Sequence, residues 1–194
     1  PYPSWLRTEQ EYENFVLRFE YQTEGWYEGG FLLHAPFDGP ASKLGFKIHL
    51  RHEQKAYGLR SPGAIYDVAA PRSIANLPSG QWNACEITCD WPRLQVTLND
   101  KLIHDISMDT EPVFRNRLRR GYMGIQNIGC RASFRNLRIR ALPDQEEPWQ
   151  PLFHSGMEAM REQGHSDWQM EDEVLTGQGK DGLAETRAEF SSPC

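Results

Sequence analysis

The chain has 194 residues, 39% of them hydrophobic and 11% aromatic, enough for one large domain with a packed core, which excludes general disorder. Its apolar runs are only a few residues long, so no membrane insertion is expected. The formal net charge of −6 is uneven. Residues 1–140 hold 18 Lys and Arg against 15 Asp and Glu, whereas residues 141–194 hold 3 against 12. Most of the basic excess sits in Arg115, Arg117, Arg119, Arg120, Arg131, Arg135, Arg138 and Arg140, and no nucleic-acid motif is visible there. Solvated strand faces and loops account for it, and no nucleic-acid partner is expected.

In chain order, Phe15-Val-Leu-Arg-Phe-Glu-Tyr-Gln22 alternates with period two. Phe15, Leu17, Phe19 and Tyr21 take one face, as in a strand with one buried side. Gly30–His34 reads as a second strand after the turn-prone Glu24–Gly30. In Phe46–Arg51 the residues Phe46, Ile48 and Leu50 point inward, and Lys47, His49 and Arg51 share the opposite face. Ala64–Val68 is expected as a further strand after Pro62-Gly63, and Gln81–Cys89 as the next. Arg93–Leu98 and Lys101–Asp105 flank Asn99-Asp100, a tight hairpin signal. Tyr122–Gln126 and Ala132–Arg140 complete the series, and no helix is expected in residues 1–140. Eight or nine short strands predict an all-β, two-sheet antiparallel jelly-roll sandwich.

The composition changes at Pro143-Asp-Gln-Glu-Glu-Pro-Trp-Gln-Pro151, an acidic, proline-rich linker. The expected organisation is a jelly-roll domain over 1–142, a linker over 143–164 and a tail over 165–194. Within the linker a short helix is expected from His154, stopping at Gly164. Trp168–Leu175 reads as a strand in the tail. Leu183-Ala-Glu-Thr-Arg-Ala-Glu-Phe190 echoes Trp5-Leu-Arg-Thr-Glu-Gln-Glu-Tyr12 at an offset of 178, with Thr186 matching Thr8 and Glu189 matching Glu11. The echo reads as the opening of a second copy of the domain.

Four cysteines lack CxxC spacing, so a zinc ribbon is not expected. Cys85 and Cys89 share a strand face about 13 Å apart at roughly 3.3 Å per residue, too far to bridge each other. A Cys89–Cys130 bridge and free, partly buried thiols both stay open. The first residues from Pro1 carry no leader-like apolar segment, which does not exclude secretion. An extracellular or periplasmic setting in a bacterium is the expectation.

Seven segments in order carry a family resemblance. The first four are Trp5-Leu-Arg-Thr with Tyr12-Glu-Asn-Phe-Val-Leu-Arg-Phe-Glu-Tyr21, Gly29-Gly-Phe-Leu-Leu, Pro62-Gly-Ala-Ile-Tyr66 and Gly80-Gln-Trp-Asn83. Leu98-Asn-Asp, Gly121-Tyr-Met-Gly-Ile-Gln126 and Phe134-Arg-Asn-Leu-Arg-Ile139 follow. Over residues 4–142 the chain resembles the 3-keto-disaccharide hydrolase domain family, which implies a concanavalin-like sandwich with a concave sugar-facing sheet. The family's opening strand resembles Trp168–Gly177, here at the other end. A domain without its first strand leaves a slot in the sheet. The tail is expected to fill it, within the chain or by exchange in a homodimer.

The implied function is a carbohydrate-active, hydrolase-like domain acting as a glycosidase on a (keto-)disaccharide. The alternatives are a non-catalytic carbohydrate-binding module and a structural sandwich. Glu20 is the expected acid/base, a family-matched position that otherwise reads as a solvated strand residue paired with Arg18 or Lys47. Lys47, His49, Arg51, Tyr66 and Gln126 are expected to bind substrate on the same face, with Glu28 at its rim and Trp26 as a stacking platform. In bland terms Lys47, His49 and Arg51 form a polar strand face, Tyr66 packs, and Trp26 anchors its loop. His49 and His52 face opposite ways along a strand, so no metal or cofactor is expected. The chain departs from the family pattern at Glu28, Lys47, Arg51, His52 and Ile128, and gains positive charge there.

Overall fold

The computed structural model describes residues 5–129, 131–142, 150–151, 160–171 and 174–186. Its strands are β1 (Trp5–Tyr12), β2 (Asn14–Thr23), β3 (Glu28–Ala35), β4 (Phe46–Arg51), β5 (Asn83–Asp90), β6 (Arg93–Leu98) and β7 (Lys101–Ser107). β8 (Gly121–Asn127), β9 (Ala132–Leu142), β10 (Gln150–Pro151), β11 (Met160–Glu171) and β12 (Val174–Thr186) follow. They form two antiparallel layers of a jelly-roll sandwich, as the alternation predicts. One layer runs β4-β3-β8-β1 and the other β9-β2-β5-β6-β7, with β12 between β1 and β9.

The inward residues of each strand meet between the layers. Phe15, Leu17, Phe19 and Tyr21 of β2 are all at most 2% exposed, as are Phe31, Phe46, Ile48 and Leu50 from the facing layer. Phe19 stacks on Phe31 at 4.6 Å across the gap. Each such side chain contributes roughly 1.5–3 kcal/mol on burial, so the aromatic row of β2 is a principal source of cohesion. Asn99 and Asp100 close the β6–β7 hairpin with φ of 48° and 63°, the left-handed pair that a tight hairpin requires.

Several elements differ from the sequence-based expectation. β1 alternates poorly, and its pairing with β8 shifts register between Arg7 and Glu11, which is why periodicity alone does not reveal it. Ala64–Val68 is a turn with isolated bridges rather than a strand. Gly63 at φ 78° and Asp67 at φ 56° reverse the chain there. One four-residue helical turn, α1 (Ala41–Leu44), interrupts the β3–β4 connection. Residues 160–164 of the expected linker helix belong to β11, and its remainder lies outside the described residues. The single tail strand expected over Trp168–Leu175 is instead split between β11 and β12, which pair as an antiparallel hairpin. Cys85 and Cys89 are buried free thiols; Cys130 and Cys194 lie outside the described residues.

Candidate functional site

The outer face of the β4-β3-β8-β1 layer carries a compact polar cluster. Register places Glu28 opposite Arg51, Gly30 opposite His49 and Leu32 opposite Lys47, and Gly30 also opposite Gln126 of β8. The turn after β4 folds along its free edge, with Tyr66 N donating to Lys47 O at 2.8 Å and Gly63 N to His49 O at 2.7 Å. The Tyr66 ring thereby lies over the cluster, 3.7 Å from Lys47 Nζ and edge-on to His49 at 4.9 Å. A glycine is required at position 30: a Cβ there would stand 2.6 Å from Lys47 Cγ and 2.7 Å from Ile48 O.

Lys47 is 4% exposed, and its Nζ donates to Gln126 Oε1 at 3.2 Å. Among the described residues no carboxylate pairs with it directly. Burial lowers its pKa to about 8 against the opposing pull of Glu28 and Asp67, while Arg60 lowers it further. His49 is fully buried. Its Nδ1 lies 3.0 Å from Arg60 O, and since a carbonyl only accepts, Nδ1 carries the proton in the neutral ring. Nε2 lies 3.3 Å from Glu28 Oε1 but makes no hydrogen bond. Burial, Lys47 and Arg51 push the His49 pKa down to about 4, against Glu28 and the Arg60 carbonyl. At neutral pH the ring is therefore uncharged and presents a bare nitrogen lone pair toward the Glu28 carboxylate, within the electrostatic reach of Lys47.

Two of the expected binding residues sit at the rim. Arg51 is held by Glu53 at 2.7 Å and stands over the Tyr57 ring at 4.7 Å. Trp26 is 52% exposed, with its ring 6.3 Å from His52. Arg60 and Asp67, which sequence reasoning missed, pair at 2.9 Å beside Tyr66. Their spacing in a loop gave no periodic signal. Further along the same face, Arg7 of β1 is clasped between Phe37 and Tyr122 at 4.2 and 4.3 Å.

Glu20 does not join this cluster. It leaves β2 from the outer face of the opposite layer, so the core, including the Phe19–Phe31 stack, separates it from Lys47 and His49. There it accepts hydrogen bonds from Arg135 at 2.7 Å and Asn136 at 2.8 Å. An open groove of about 550 Å³ surrounds it, lined by Arg18, Glu86, Asp100, Asn136 and Arg138. Alternation identifies which residues share a strand face; it does not say which of two layers the strand joins.

The other histidines are likewise dispersed. His34, at φ 50°, turns into the core between Phe15 and Phe46, with Nε2 donating to Glu13 O at 2.8 Å. His52 Nδ1 lies 3.0 Å from Tyr27 O. Among the described residues no group of three His, Cys, Asp or Glu is placed to hold a metal ion, and no helix is long and apolar enough to cross a membrane.

Comparison with solved structures gives the same fold. A candidate glycosyl hydrolase from Parabacteroides distasonis ATCC 8503, solved at 2.00 Å, aligns with a TM-score of 0.66 at 20% identity, over 73% of this chain and 84% of that one. A second from the same organism, solved at 1.70 Å, aligns at 0.62 and 18% identity, over 70% and 75%. No curated protein sequence matches the chain. The model of the 3-keto-alpha-glucoside-1,2-lyase-like domain matches residues 2–140, the whole of the sandwich up to β9, and the chain belongs to that family.

Proposed function

We propose that the Lys47–His49–Glu28–Gln126–Tyr66 face binds a glycoside bearing a ketone next to the carbon that loses a proton, and cleaves it by elimination. One observation carries this reading: His49 Nε2 is a buried, hydrogen-bond-free lone pair 3.3 Å from Glu28 Oε1 and under the electrostatic influence of Lys47. A buried polar atom left without a partner costs roughly 1–3 kcal/mol, and beside a carboxylate such an atom fits a catalytic role. In the elimination, Nε2 takes the proton from the carbon beside the ketone, and Glu28 stabilises the imidazolium that forms. The Lys47 ammonium, in a site depleted of water, stabilises the developing enolate oxygen. The glycosidic oxygen leaves with the bonding pair as the enolate collapses to the enone. Gln126, Arg51 and Trp26 then orient the sugar hydroxyls and ring. The family's lyase-like description supports this reading.

The test is aglycone release from a 3-keto-glucoside. His49→Ala and Lys47→Met are each expected to lower kcat about 100-fold or more, the usual worth of a positioned acid–base group. Unchanged turnover in His49→Ala would refute the assignment. A second reading, a non-catalytic carbohydrate-binding module, is favoured by the removal of Glu20 to the opposite face, which leaves Glu28 as the carboxylate beside His49. It predicts saturable sugar binding at this face with no product after long incubation.

A further inference from the structure

The proposed site is closed on two sides. The turn that carries Tyr66 runs along the free edge of β4, and the Tyr66 ring covers Lys47 and His49. On the β1 side Trp5 stands opposite Gln126, buried, with its ring against Gly124. The end at which β3 begins and β4 and β8 finish is built differently. It presents two exposed apolar side chains, Trp26 and Ile128.

Contacts tie this end to the reactive groups. A Cβ on Gly129 would stand 2.9 Å from the Trp26 indole and 3.0 Å from Glu28 N. Ile128 N donates to Glu28 O at 2.9 Å. Trp26 and Ile128 thus flank Glu28, whose Oε1 lies 3.3 Å from His49 Nε2. The segment is held at Tyr27, whose ring is fully buried and whose N donates to His52 Nδ1 at 3.1 Å. Two other exposed aromatic rings, Phe37 and Tyr57, already hold Arg7 and Arg51, and Tyr57 also donates to Glu53 at 3.2 Å. Trp26 instead meets the His52 ring at 6.3 Å and the backbone of Gly129.

In the elimination, the carbon that loses its proton to His49 is bonded to the carbon bearing the leaving oxygen. The group on that oxygen therefore starts close to His49 and Glu28, and the direction past Glu28 brings it onto Trp26 and Ile128. We propose that Trp26 and Ile128 form a leaving-group subsite that selects a flat, apolar aglycone, an aryl or arylmethyl group, over a small alkyl group. The proposal rests on the binding face described above. A ring laid on a half-exposed indole buries apolar area on both partners and adds offset stacking, which together favour it about 10-fold over a methyl group. Trp26 thereby orients the sugar through the ring attached to it.

The experiment titrates the full chain with benzyl and methyl glucosides that keep an ordinary 3-hydroxyl and so cannot eliminate. Dissociation constants are read from backbone amide shifts. Benzyl glucoside is expected to bind about 10-fold more tightly than methyl glucoside. That ratio is expected to fall near one in Trp26→Ala, to recover in part in Trp26→Phe, and to drop about threefold in Ile128→Ser. The last two variants decide the matter if Trp26→Ala does not melt as the parent does. Equal affinities in the parent, a ratio unchanged by these substitutions, or no binding of benzyl glucoside would each overturn the proposal. Release of benzyl alcohol and methanol from the 3-keto forms is followed in parallel. No release with the affinity ratio intact refutes the elimination alone, whereas release with a ratio of one refutes the subsite alone.

Discussion

At the residue scale, burial decides which groups of this protein are reactive. His34 and His49 are both pushed down to about 4, first of all by desolvation, so each is neutral in the folded state at pH 7. The unfolded chain titrates them near 6.5 and therefore binds more protons in the interval below. Their stabilising effect is complete above about pH 6.5 and is lost as pH falls toward 4, by up to roughly 3 kcal/mol for each. Urea unfolding at pH 7 and pH 4.5 checks this: the midpoint is expected to fall, and to fall less in His34→Gln. An equal fall in parent and variant would contradict the assignment for His34. Lys47 has the same sign in a higher window: burial lowers its pKa to about 8, so its penalty is present in full below about pH 8 and fades as pH rises above that. Individual polar residues such as Lys47, His49 and Gln126 were legible as one face because alternation is a local property. Glu20 was misplaced because its layer depends on long-range pairing with β5 and β9.

At the scale of elements, β3 and β4 build the cluster through one close approach. Gly30 lets the Lys47 stem lie flat across β3 toward Gln126. Gly30→Ala is expected to lift Lys47 off its seat, because the Ile48 carbonyl 2.7 Å from the new Cβ has no room to yield. The expected loss is about 1–3 kcal/mol in denaturant unfolding, together with weaker sugar binding. An alanine variant as stable as the parent would show that the strands can part without cost. The strands with clean period two, β2, β4 and β6, could be read from the sequence. β1 could not, because its polar residues and its register shift against β8 break the pattern. Nor could the turn over Ala64–Val68, whose apolar residues mimic a strand while Gly63 and Asp67 hold left-handed backbone. That turn proved the more consequential element, since it carries Tyr66 onto the site.

At the scale of the whole molecule, the two outer faces of the sandwich offer different surfaces. The β4-β3-β8-β1 face holds a desolvated cation, a bare imidazole nitrogen and an aromatic cover. The opposite face holds a wide groove in which charges are already paired, Glu20 with Arg135 and Arg18 with Glu86. Paired, solvated charges contribute about 0–1 kcal/mol and have little to gain from a neutral ligand. The fold was legible in the sequence because core alternation recurs strand after strand; the choice of functional face was not, because both outer faces alternate equally well. The most direct test is to titrate the protein with a 3-keto-glucoside and follow backbone amide chemical shifts. The account predicts saturable shifts centred on Glu28, Lys47, His49, Tyr66 and Gln126. Shifts centred instead on Glu20, Arg135 and Asn136 would contradict it.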